Sequence, residues 1–134
     1  MNRLLLLFIP LICCFFSCKK DASEANEPIV THTVFVGNFY YDPPNITINQ
    51  GEEIRWINDG GLHDVNAEIN SLNNTPFFDN PETFNSPSTS VVGAEIYRHT
   101  FNLSGFYNYD CSVGGHAANG MTGTITVVPL DPSQ

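Results

Sequence analysis

FYNYDCSVGGHAANGMTGTITVV, residues 106–128, holds two runs of strand-forming residues around a glycine-rich loop. The flanks FYNYDC and TGTITVV are rich in aromatic and β-branched side chains, which suit a pleated, half-buried surface. Cys111 closes the first run and Thr122 opens the second, so the residues between them form one strand-to-strand connection. Its glycines let the loop curl tightly. Curled in that way, it can direct Cys111, His116 and Met121, which follow one another at five-residue steps, toward a single point.

Working outward, the same strand signals recur along the chain. IVTHTVFVGNFYYDPP (29–44) is β-branched and aromatic and is closed by two prolines. NITINQGEEIRWIND (45–59) reads as a short alternating run, a turn at Asn49-Gln50-Gly51, and a second run in which Trp56 and Ile54 face the core. HDVNAEI (63–69) is predicted as a further strand, as is EIYRHTFNL (95–103). Residues 70–90 carry turn formers throughout and are too long for a simple connection; Phe77, Phe78 and Phe84 within them are expected to pack on the body. No helical period and no internal repeat is visible. About seven short strands at this spacing predict an all-β fold, an antiparallel sandwich or barrel.

The chain of 134 residues, 42% hydrophobic, suits one domain with one core. Its 14 acidic and 5 basic residues, a formal charge of -9, exclude nucleic acid as a partner, since phosphate binding needs a clustered basic surface. The balance is compatible with docking onto a basic protein patch.

Residues 1–18, MNRLLLLFIPLICCFFSC, have one positive residue, Arg3, then an apolar run too short for a membrane span, then Ser17 before Cys18. This pattern resembles a bacterial lipoprotein signal, which implies acylation of Cys18 at the new N-terminus. Phe15 and Phe16 depart from its commoner form, and plain cleavage with release is the alternative. An acylated chain would be exported and held by its lipid at a periplasmic or cell-surface membrane. Residues 19–28, KKDASEANEP, are polar and read as a tether with an end-to-end distance of about 17 Å. The domain then spans 29–130, with a tail at 131–134.

Removal of 1–18 takes Arg3, Cys13 and Cys14, and lipid takes Cys18, so Cys111 is left as the one thiol of the domain. Exported proteins oxidise cysteines in pairs, and an unpaired one asks for a reason. A buried small hydrophobe is one answer, a metal ligand another. His63, directly after NDGGL, is the strongest candidate for a further ligand from a separate turn. Two imidazoles, a thiolate and a thioether form the donor set of blue-copper electron-transfer sites; structural zinc sites rarely use methionine. His99, on the face of Tyr97 and Phe101, reads as structural, and His32 as a surface residue of the first strand. The sequons at Asn45, Asn73 and Asn102 matter only in a eukaryotic secretory route.

The segment 106–128 resembles the C-terminal signature of the cupredoxins, the plastocyanin and azurin family, and IRWINDGGLHDV (54–65) resembles the family's upstream histidine motif. The resemblance covers roughly residues 29–130. It implies a Greek-key β-sandwich of seven to eight strands and one type 1 copper bound by His63, Cys111 and His116, with Met121 as a weak axial ligand. It also implies one-electron exchange with redox protein partners, the exposed edge of His116 as the electron route, and a docking rim of Leu62, Ala117 and Ala118. Copper storage or delivery needs the same ligands and is the alternative; no enzyme activity is expected. Many relatives have asparagine after the first histidine where this chain has Asp64, so the hydrogen bonds linking the two ligand loops are expected to be wired differently.

Overall fold

The computed structural model describes residues 28–77 and 79–131. The signal, nearly all of the tether, Phe78 and the end of the tail lie outside them. The strands are β1 (Thr31–Gly37), β2 (Tyr40–Asp42), β3 (Asn45–Asn49), β4 (Glu53–Asn58), β5 (Ile69–Asn70), β6 (Thr75–Pro76), β7 (Glu95–Thr100), β8 (Gly105–Asp110) and β9 (Thr122–Val128). They form one sheet in the order β2-β1-β4-β7, a second in the order β3-β9-β8, and a small β5-β6 pair. The fold is the expected Greek-key sandwich.

Three features differ from the sequence expectation. Pairing is mixed, because β1 lies parallel to β4 and β3 parallel to β9. The chain leaves the first sheet after β2, adds β3 to the second, and returns to travel beside β1 in the same direction. The run 29–44 splits into β1 and β2 around Asn38 and Phe39, with Gly37 opposite Tyr40. HDVNAEI supports only isolated bridges, of His63 with Thr89 and of Asn66 with Asn85 and Asp110, before the two-residue β5. Asn66 explains this locally: its side-chain oxygen accepts from the N–H groups of Glu68 and Ile69, each at 3.2 Å, and turns the backbone out of a ladder.

Alternation within the strands builds the core. Ile54 and Trp56 of β4, Val34 and Val36 of β1, Tyr107 and Tyr109 of β8 and Ile125 of β9 are all buried between the sheets. Trp56 lies edge-on to Tyr109 with ring centroids 5.7 Å apart. Gly123 of β9 faces the Tyr109 ring so closely that a Cβ there would lie 2.2 Å from it, so any other residue would displace the ring. Phe84 from the long 70–90 segment is buried as expected, and Phe77 is half-buried. His99 has the structural role read from its neighbours. Its ring stacks on Phe84 at 4.7 Å, and Nε2 meets Glu82 at 3.1 Å. His32 sits at the surface against Glu52 at 2.8 Å.

The two poles of the sandwich are distinct. At one, Glu53 N–H donates to Val30, Gly51 N–H to Phe101 and Gln50 N–H to Val128, which gathers the start of β1 and the end of β9. At the other lie the Asn38-Phe39 turn, the 58–63 turn and the 111–121 loop. Seven residues of β1 separate the poles by about 20 Å.

Candidate metal centre

His63 is placed by a turn that the sequence NDGGL builds. Asn58, buried at the end of β4, accepts from Gly60 N–H at 3.0 Å and donates to the carbonyls of Gly61 at 3.1 Å and Thr89 at 3.2 Å. His63 exchanges two backbone bonds with Thr89, at 3.1 and 2.9 Å. Its Nε2 donates to the Gly60 carbonyl at 2.8 Å, which leaves Nδ1 with a free lone pair. Gly61, at φ +93°, lies over this ring: a Cβ would come within 2.5 Å of His63 Nε2 and of Asn38 Oδ1. Burial lowers the His63 pKa, and the nearby His116 adds to this, so the ring is neutral and able to ligate at neutral pH.

Cys111 follows β8 and is fully buried and unpaired. Its N–H donates to the Met121 carbonyl at 3.2 Å, which ties the two ends of the loop together. Burial pushes the thiol up to about 11, offset in part by the Asp64 and Val113 backbone N–H groups directed at the sulfur. His116 caps the short 3₁₀ turn Ala117–Asn119. Its Nδ1 lies 3.4 Å from Cys111 Sγ, and Nδ1 of His63 lies 3.9 Å from the same sulfur. The ligand atoms of His63, Cys111 and His116 all fall within 4.8 Å of one another. Bonds of about 2.0–2.3 Å at 120° set ligand atoms about 3.5–4 Å apart, and both sulfur–nitrogen separations match this spacing. Met121, at the end of the loop, is fully buried; besides the bond from Cys111, its own N–H donates to the His116 carbonyl at 3.1 Å.

Asp64 resolves the wiring that its sequence position left open. Its carboxylate accepts from Ser112 N–H at 2.7 Å and from Ser112 Oγ at 2.5 Å. Both donors come from the residue after Cys111, so an acceptor-only side chain suffices to tie the histidine turn to the cysteine loop. Tyr41 Oη donates to the Asp64 carbonyl at 2.7 Å and fixes the turn from below. A second tie joins Asp110 to Asn66 Nδ2 at 2.7 Å and to the Ser71 N–H at 2.7 Å.

The surface around His116 differs in part from the expected rim. Leu62 and Ala118 are exposed, but Ala117 is buried because the 3₁₀ turn rotates its methyl inward. Phe39 takes part instead, with its ring edge-on to His116 at 5.1 Å. Val91 and Val92 are exposed on the neighbouring turn, which Asn58 holds through Gly93 N–H and the Ala94 carbonyl. None of these three residues carries a motif, and only their placement reveals them.

A family model described as copper binding proteins, plastocyanin/azurin family, matches residues 29–128. Plastocyanin of Scenedesmus fuscus is 32% identical over 95 residues, 68% of this chain and 89% of that protein. A purple cupredoxin from Nitrosopumilus maritimus superposes with a TM-score of 0.55 at 27% identity, over 72% of this chain and 98% of that one. Amicyanin of Paracoccus versutus gives 0.54 at 25% identity, over 78% and 87%. A copper-containing nitrite reductase from Thermus scotoductus gives 0.57 at 26% identity, but only 23% of that longer chain is covered. With a family match over nearly the whole described fold and a cluster of two imidazoles and one thiol at its pole, the chain belongs to the plastocyanin/azurin family of cupredoxins, whose cofactor is one type 1 copper.

Proposed function

We propose that this protein is a one-electron carrier, with copper held by His63 Nδ1, Cys111 Sγ, His116 Nδ1 and, axially, Met121. Bound there, copper supplies a single electron by alternating between its cuprous and cupric states. The spacing of the three donor atoms within 4.8 Å carries this reading. Imidazoles suit copper(II) and a thiolate with a thioether suits copper(I), so this donor set serves both states and favours repeated one-electron exchange over capture and release. The Asp64–Ser112 and Cys111–Met121 ties keep the donors there, and burial excludes water from the sulfur. The imidazole of His116, between Leu62, Ala118 and Phe39, offers the route to a docked redox protein.

The Cys18 signal and polar tether support a lipid-anchored, exported protein of the bacterial envelope. The start of β1 at the pole away from His116 agrees with a carrier that presents its exchanging face to partners while anchored. The carrier reading is also supported by the likeness to plastocyanin, 89% of which the match covers. Addition of copper(II) to the purified domain is expected to give an intense thiolate-to-copper band in the visible spectrum. Absence of the band, or its persistence in Cys111→Ser, overturns the assignment.

A further inference from the structure

The two ligand imidazoles are held by different means. His63 anchors its second nitrogen on the Gly60 carbonyl at 2.8 Å, so its ring cannot turn without losing that bond. A ligating histidine ordinarily has such an anchor, which fixes both tautomer and orientation. Nδ1 of His116 faces the sulfur, but its other nitrogen meets no hydrogen-bond partner among the described residues. Among the described aromatic rings, His116 meets His63 and, edge-on, Phe39, the latter at a centroid distance of 5.1 Å and an interplanar angle of 86°.

The backbone of Phe39 is unusual. Gly37 pairs with Tyr40, so Asn38 and Phe39 are the corner residues of the β1–β2 turn, and Phe39 has φ +65°. A positive φ at the second corner ordinarily selects glycine or asparagine. For a bulky side chain it is strained. Burial does not repay the strain, because Phe39 remains 47% exposed. Strain retained at the edge of a functional site is a sign of a role there.

We propose that Phe39 is a positioning residue: the strained turn sets its ring edge against the His116 imidazole and supplies the rotational restraint that a hydrogen bond gives His63. This rests on the role of His116 as a copper ligand. The geometry is that of an edge-to-face aromatic pair, whose attraction depends on orientation. Aliphatic bulk at position 39 does not reproduce it.

Three variants test the assignment in the metal-free protein, with His116 ring orientations read by NMR relaxation of labelled imidazole carbons. In Phe39→Gly and Phe39→Leu, a second His116 orientation is expected to rise about three- to tenfold relative to the main one. Phe39→Tyr is expected to restore the wild-type ratio. Thermal midpoints separate this from a role in folding. Phe39→Gly relieves the turn and is expected to melt at or above Phe39→Leu, which keeps the strain. After copper loading, the glycine and leucine variants are expected to show two sets of nitrogen hyperfine couplings where the wild type shows one. Unchanged His116 orientations in Phe39→Gly, or equal mobility in the tyrosine and leucine variants, overturn the proposal. Failure of the underlying ligand assignment shows elsewhere, as a wild-type protein lacking the thiolate-to-copper band.

Discussion

Replacement of Gly61 by alanine isolates the support of one ligand from the general cost of strain. Two penalties apply. At φ +93° a Cβ is strained, which costs about 1–2 kcal/mol. The new methyl also lies 2.5 Å from His63 Nε2 and from Asn38 Oδ1, so the imidazole must move away from the Gly60 carbonyl. Loss of that bond leaves a buried ring nitrogen unsatisfied, at about 1–3 kcal/mol. Gly51 is the matched control. Its φ is +89°, nothing lies within 4 Å of where an alanine methyl would stand, and it sits at the opposite pole. Gly51→Ala should therefore show the strain alone, a fall in midpoint of about 4–8 °C per kcal/mol for a domain of this size. Gly61→Ala should fall further and also lose about 10–100-fold in copper affinity, the effect expected when an imidazole loses the partner that orients it. Calorimetry of both metal-free variants and competitive copper titration measure these quantities. Equal loss of stability in the two variants, with wild-type affinity in Gly61→Ala, would refute the idea that this glycine cradles the ligand ring.

Asp64→Ala strands the Ser112 N–H and hydroxyl and should cost about 1–3 kcal/mol by denaturant unfolding. Asp64→Asn can keep both contacts, with Ser112 Oγ turned to accept, and should be near neutral in stability. It also removes a negative charge beside the sulfur, so its reduction potential should move upward by voltammetry. Trp56→Ala, at the centre of the core, should cost about 3–5 kcal/mol in the same unfolding assay. The metal-free fold should lose stability as pH rises from about 8.5 toward about 11. In that window the folded chain keeps a Cys111 proton that the unfolded chain has released, and Cys111→Ser should flatten the slope. Because burial lowers the His63 pKa, the unfolded chain takes up a proton first as pH falls through the usual imidazole value, and stability should drop there too.

What was legible in advance followed from local rules. Cys111 and His116 share one loop, and His63 follows a turn marked by two glycines, so residue chemistry and spacing pointed to the cluster of these three before any geometry. Trp56 and Ile54 declared the core face of β4 by alternation. What stayed hidden depended on contacts between distant segments. Nothing in THTVFVG says that β1 runs parallel to β4, because pairing direction is a property of the crossing chain and not of the strand. Residues 63–69 have the composition of a strand, yet the Asn66 side chain captures the backbone first. Ala117 looked like a rim residue until the 3₁₀ turn rotated it inward. Phe39 carried no signal at all, since the Asn-Phe pair gives no warning of a positive φ at the aromatic residue.

The gathering of Val30 and Val128 around the 49–53 turn has a practical side. Both entry and exit of the domain are on the same side, like the two leads of a plug-in component. A fusion partner, an electrode linker or a surface attachment joined at either end leaves the opposite face open to solvent. The domain can thus be wired to a support through its N-terminal or its C-terminal flank with its exchanging face outward in both cases.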